Sequence, residues 1–244
     1  MSFFKKSLES NSLFNVFDLN GFALYSLKTL EPFALTVPSK AGTEHLIFTL
    51  KGSASVNGVL LEEKDMMYLS VDEIARIETE SECILYVAEA KGSRKFPQYV
   101  KKYSDTDRMK IGQPTFRRTV VELISEKDPG NRFIAGYVED SLGEWSSYPP
   151  HKHDGKPEAY IYYGIDPGFA VQVILDGADE KAFVVHDYDT VYFGRGYHPH
   201  VNTSLKGSNY AWIVCAPEES RNLQVEIHPA FKDVNLGKSH LTIK

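Results

Sequence analysis

Cysteine is scarce in this chain: Cys83 and Cys215 are the only two in 244 residues. Two cysteines do not make a disulfide framework, and each lies in an apolar strand-like run, so both are expected to be buried free thiols. Long apolar runs are missing as well. No stretch approaches the ~20 residues that a membrane helix needs, and residues 1–10 hold no apolar core of signal-peptide length. A cytoplasmic protein with no membrane partner is the expectation. There is no basic run or stripe, and 27 basic against 33 acidic residues leave a net charge of −6, which argues against a nucleic-acid partner. Extended helical periodicity is also absent. Residues 93–107 are the one helix candidate, workable if the helix starts near Pro97.

What the chain does contain is short runs rich in β-branched and aromatic residues, bounded by Gly, Pro, Asn or Asp. Examples are Leu46-Ile-Phe-Thr-Leu50, Cys83-Ile-Leu-Tyr-Val87, Tyr160-Ile-Tyr-Tyr163, Thr190-Val-Tyr-Phe193 and Tyr210-Ala-Trp-Ile-Val-Cys215. Such runs read as strands of an all-β fold, a sandwich or barrel with few short helices. The pattern also repeats. The stretch from Glu44 to Gly58 resembles that from Glu158 to Gln172, and each leads to an Asp before apolar residues, Asp65 and Asp189. This predicts two β-barrels, residues 1–107 and 108–244, with residues 108–130 bridging them. With Glu44 set against Glu158, His151 and His153 fall opposite Val37 and Ser39, and His198 opposite Ile74. The first barrel then lacks metal ligands and acts as scaffold.

Four residues in the second half carry the chemistry. His151 and His153 stand two apart in Pro149-Pro-His-Lys-His153, a spacing that puts both on one side of an extended strand. Glu158 follows across a short Gly-Pro turn and can return to that side. His198 sits in Arg195-Gly-Tyr-His-Pro199, where Gly194 and Gly196 allow a tight turn back toward the barrel. Three imidazoles and one carboxylate suit a divalent Zn, Mn, Fe, Co or Ni ion and leave coordination positions open for substrate.

The run Trp145-Ser-Ser-Tyr-Pro-Pro-His-Lys-His-Asp154, with Glu158, Asp189 and Arg195-Gly-Tyr-His-Pro199, resembles the 5-deoxy-glucuronate isomerase family of inositol catabolism. That family belongs to the cupin superfamily and shares its two-barrel plan with 5-keto-4-deoxyuronate isomerase. The likeness covers about residues 110–217; the first ~100 residues share mainly strand layout, and residues 223–244 show little to match. The resemblance implies a bicupin that isomerises an aldose to a ketose, 5-deoxy-glucuronate to 5-dehydro-2-deoxy-gluconate. Such a reaction uses an acid or base near C1 and C2; by position the candidates are Tyr197, Tyr148 and His200. A sugar-acid carboxylate calls for a bidentate cation. Arg118, Arg195 and Lys156 are candidates, and only one of the adjacent Arg117 and Arg118 can face inward on a strand. Gln172 is a candidate partner for substrate hydroxyls. Other metal-dependent cupin enzymes, such as another uronate isomerase or a dioxygenase, and a non-enzymatic sugar-binding cupin use the same residue types. A homo-oligomer, dimer or higher, is expected from exposed strand edges.

Overall fold

The computed structural model describes residues 2–4, 8–38, 40–153, 155–177, 179–237 and 242–243. Ser39 and Asp154, both used in the sequence comparison above, lie outside the described residues. The described residues form strands joined by turns, with 3-10 turns at Glu218–Ser220 and Pro229–Phe231 and no α-helix. Among the described residues no helix is long and apolar enough to cross a membrane. Residues 93–107, the predicted helix, instead contain the strand Tyr99–Lys101, which pairs with Met66–Leu69. The Tyr99 ring stacks on Tyr68 at 5.2 Å, and this sheet contact wins over weak local helix preference.

The fold is a stack of sheets with three apolar layers between them. A four-stranded sheet in the first half faces a six-stranded one across Val37, Val56, Ile77, Ile47, Leu85 and Val87. The other face of the six-stranded sheet packs on a seven-stranded sheet through Leu46, Phe48, Tyr86, Val121, Phe133 and Ile213. The far face of that sheet closes over a third layer, including Val120, Tyr160, Tyr162, Ile174 and Trp212. The two middle sheets are therefore covered on both sides. This explains why Thr43–Lys51, Cys83–Lys91, Glu158–Tyr163 and Asn209–Cys215 read as continuous apolar runs rather than alternating ones. Both cysteines are free and buried.

Two expectations about organisation are corrected. Residues 108–130 are no bridge: Met109–Ile111 and Arg118–Ile124 are paired strands of the seven-stranded sheet. The N-terminal strand Ser2–Phe4 also joins that sheet, against Thr190–Phe193. The second correction is a one-residue slip in the repeat. His45 lies between Leu69 and Glu89, as Glu158 lies between Phe193 and Val214, so His45 and not Glu44 occupies the position of Glu158. A slip of one residue reverses which face a side chain takes. Glu44 accordingly points to the layer between the barrels, where its carboxylate accepts from the Asn131 and Arg132 backbone N–H groups, the Asn131 amide and the Tyr68 hydroxyl.

Candidate metal centre

His151 stands on the short strand His151–Lys152, which pairs with Gln224–Ile227. His198 is brought beside it by a corner tied to the strand Ala170–Asp176: Tyr197 N–H donates to Leu175 at 2.9 Å and Leu175 N–H to Tyr197 at 2.8 Å. The turn depends on Gly196, whose φ is +93° and where a Cβ would meet Ile174 at 3.0 Å. His198 N–H then donates to the His151 carbonyl at 3.3 Å. Glu158 opens the strand Glu158–Tyr163, and period-two alternation puts Glu158, Tyr160 and Tyr162 on the inner face.

These elements bring the predicted ligands together. The ligating nitrogens of His151, His153 and His198 lie within 4.8 Å of one another. Glu158 Oε2 is 3.2 Å from His198 Nε2 and 3.5 Å from His153 Nε2. All four residues are buried. His151 Nδ1 faces the Pro149 carbonyl at 2.9 Å and His198 Nδ1 the Gly196 carbonyl at 3.1 Å. A carbonyl only accepts, so each Nδ1 carries the proton and each Nε2 offers its lone pair. Burial, with the neighbouring His198, drives the His151 pKa well below its usual value, and burial lowers that of His198 to about 4. Burial raises the Glu158 pKa well above the usual range. Among the described residues Glu158 Oε2 and His198 Nε2 make no hydrogen bond. Neutral imidazoles around an orphaned, buried carboxylate oxygen fit a bound cation, which would supply the missing partner.

A cavity of about 30 Å³ adjoins the ligands, lined also by Arg118, Ser147, Tyr160, Tyr210, Trp212 and Leu223. Of the substrate-binding candidates, Arg118 lines it, while Arg117 turns outward to Glu144. Arg195 does not approach: its side chain is 78% exposed and pairs with Asp176 at 2.6 Å. Lys156 donates to Asn222. Gln172 faces inward but is committed, accepting from Tyr162 and donating to the Val173, His198 and Pro199 carbonyls. The acid–base candidates also lie off the cavity wall. Tyr148 packs between Phe116 and Phe231. The Tyr197 hydroxyl donates to Glu226. His200 is buried behind Tyr210, against Asp140 at 2.9 Å and Ser208 at 2.8 Å.

Sequence reasoning missed Tyr160, Tyr210, Trp212 and Ser147. Alternation from Glu158 and along Asn209–Cys215 could have found the first three, since they share the inward face. Trp212 is notable because its buried indole N–H, a donor only, has no partner among the described residues.

Residues 8–234 match the KduI/IolB family, which is nearly the whole chain. The chain belongs to the KduI/IolB family. Among curated relatives, the 5-deoxy-glucuronate isomerase of Bacillus subtilis subsp. natto is 29% identical over 147 residues, 55% of this chain and 54% of that protein. The chain thus spans about half the length of the first relatives it matches. The 5-deoxy-glucuronate isomerase of Halalkalibacterium halodurans is 27% identical over 221 residues, 84% of this chain and 82% of that one. An IolB-like protein of Salmonella typhimurium LT2 superposes with a TM-score of 0.84 at 17% identity, covering 94% of this chain and 97% of that one. Oxalate decarboxylase of Bacillus subtilis shares the fold alone, with a TM-score of 0.61 at 10% identity over 82% of this chain and 70% of that one. The two-barrel, cupin-like fold expected for this KduI/IolB family member is the one observed.

Proposed function

We propose that this protein is a metal-dependent aldose–ketose isomerase converting 5-deoxy-glucuronate to 5-dehydro-2-deoxy-gluconate in myo-inositol catabolism. The observation that carries the reading is the family match over residues 8–234, which includes all four converging ligand side chains. In this reading residues 108–244 carry the chemistry and residues 1–107 support it, in a cytoplasmic homo-oligomer. His151, His153, His198 and Glu158 would hold a Zn, Mn, Fe, Co or Ni ion. Such an ion, when bound, polarises the carbonyl and stabilises negative charge developing on its oxygen.

The remaining side chains bind and orient. Arg118 presents a guanidinium suited to the substrate carboxylate. Trp212 offers its unpartnered N–H to a substrate oxygen. Tyr160 Oη and Ser147 Oγ, 2.8 Å apart, form a hydroxyl pair on the wall. Burial, reinforced by the Glu158 carboxylate, pushes the Tyr160 phenol far above its usual pKa, so it keeps its proton and acts as donor rather than base. Val138 and Leu223 exclude water. Besides the ligands, no described lining residue is a ready proton acceptor, which favours direct transfer of hydride from C2 to C1, the C2 hydroxyl proton passing to the C1 oxygen.

The test uses purified protein with metal content measured by elemental analysis. Aldehyde loss from 5-deoxy-glucuronate is followed without oxygen, and the product made in D₂O is examined for carbon-bound deuterium. Anaerobic turnover without deuterium is expected. Metal-loaded protein that turns over no sugar acid sinks the isomerase, and substrate-dependent oxygen uptake points to a dioxygenase. Deuterium at carbon removes the direct transfer while leaving the isomerase standing.

A further inference from the structure

The inner cavity, at about 30 Å³, holds one or two waters by volume, whereas sites for small molecules run to roughly 300–1,000 Å³, so a sugar acid held by its lining residues must extend beyond it. Its roof is closed. Gln224–Ile227 pairs with the strand that carries His151, His228 N–H donates to the Pro150 carbonyl at 2.8 Å, and Phe231 packs on Tyr148. A second cavity of about 410 Å³ lies beside the first, lined by Thr106, Asp107, Met109, Val120, Glu122 and Ser125 among others, with exposed residues at its rim. Leu223 lines both cavities.

Leu223 sits between two tethers. On one side the Arg221 guanidinium donates to the backbone carbonyls of Ser125, Glu126, Asp128 and Phe133. On the other, Gln224–Ile227 is held in its sheet. The Leu223 side chain itself packs in the apolar layer that includes Val120, Val138 and Trp212. Rotating one leucine away from such contacts costs far less than lifting a paired strand.

We propose that a polyhydroxy acid reaches the metal centre through the outer cavity, and that the Leu223 side chain is the gate between the two. This rests on the isomerase reading for the identity of the substrate, but not for the existence of the gate. The outer cavity suits the ligand class. The carboxylates of Asp107, Glu122 and Glu126 can accept from substrate hydroxyl groups, the Thr106 and Ser125 hydroxyls already donate to the Lys102 carbonyl and to Asp128, and Lys127 offsets part of the negative charge. Burial, with Glu126 and Asp128 nearby, raises the Glu122 pKa.

The experiment measures zinc loss from Zn²⁺-loaded protein to the chelator dipicolinate in wild type, Leu223→Ala, Leu223→Trp and Leu223→Met. Far-UV circular dichroism and zinc content establish that each variant is folded and loaded. Val184→Trp, at an exposed position of Asp179–Val185 that lines neither cavity, is the control. The chelator-dependent rate is expected to rise several-fold in Leu223→Ala, fall several-fold in Leu223→Trp, and match wild type in Leu223→Met and Val184→Trp. Equal rates in all five proteins overturn the gate, and so does acceleration in both Leu223→Ala and Leu223→Trp, which marks a purely structural residue. Because the readout is metal release, a wild type inactive on sugar acids would refute the isomerase without touching this result.

Discussion

The side-chain amide of Gln172 donates to the backbone carbonyl of His198 at 2.8 Å and to that of Pro199 at 3.0 Å. Gln172 thus holds the corner that carries a ligand histidine, although it touches neither the cavity nor the ligand ring. In Gln172→Glu the donor becomes an acceptor facing three carbonyls, those of Val173, His198 and Pro199, with the Tyr162 hydroxyl as its one remaining partner. Groups that orient ligands in this way are worth roughly 10–100-fold in metal affinity. Competition titration of metal into Gln172→Glu should show a loss of that size with the far-UV spectrum unchanged. Wild-type affinity in a folded variant would show that the corner holds itself.

The two barrels differ most at corresponding positions. His45 lies where Glu158 lies in the second barrel, but its neighbour is Glu89, 3.3 Å from His45 Nε2, and Lys40 caps that carboxylate. No group of three metal-ligating side chains includes His45 among the described residues. His153→Ala should therefore lose both bound metal and turnover, while His45→Ala retains both, as read by elemental analysis and anaerobic aldehyde loss. Equal losses in the two variants would remove the assignment of the centre to the second barrel.

His45 also shows where reading a sequence stops. The apolar runs, the His-x-His pair and the Gly-Tyr-His-Pro corner are local patterns, and local patterns survive without coordinates. Register is not local: Glu44 and His45 are one residue apart, and only strand pairing decides which faces the barrel interior. Arg118 and Arg195 were equal as sequence candidates, yet one lines the cavity and the other is held at the surface by Asp176. Gln172 is a sequence candidate for binding substrate hydroxyls, but its amide is occupied by carbonyls that include one from a corner 26 residues away. Leu223 carried no signal, since a lone leucine in an unmatched segment says nothing of what it separates.

Glu44 leads to a stability prediction. Its buried carboxylate accepts from the Asn131 N–H at 3.0 Å, the Asn131 amide and the Arg132 N–H at 2.8 Å each, and the Tyr68 hydroxyl at 2.7 Å. Glu44→Ala leaves buried donors unsatisfied in the layer between the barrels. Each such donor costs about 1–3 kcal/mol, so a total of about 3 kcal/mol or more is expected. For a chain of this size that lowers the thermal midpoint by roughly 6–12 °C. Calorimetry should also show a smaller loss in Glu44→Gln, which keeps one oxygen acceptor. A midpoint within a degree of wild type for Glu44→Ala would mean that water replaces the carboxylate at no cost.

Arg118 separates substrate binding from metal binding. Its guanidinium lines the cavity and donates to the Phe116 carbonyl at 3.3 Å, leaving further N–H groups for a carboxylate. A hydrogen bond to a charged group contributes about 1.5–3 kcal/mol, which is roughly 10–100-fold in affinity. Arg118→Ala should therefore raise KM for 5-deoxy-glucuronate by that factor with metal content unchanged. Arg118→Lys should restore part of the loss, because it keeps the charge without the bidentate fork. The corresponding neutral sugar, with a hydroxymethyl group in place of the carboxylate, should react equally slowly with wild type and Arg118→Ala. If the variant loses the same factor on the neutral sugar, Arg118 shapes the cavity and does not read the carboxylate. If KM for the acid does not change, the carboxylate lies elsewhere.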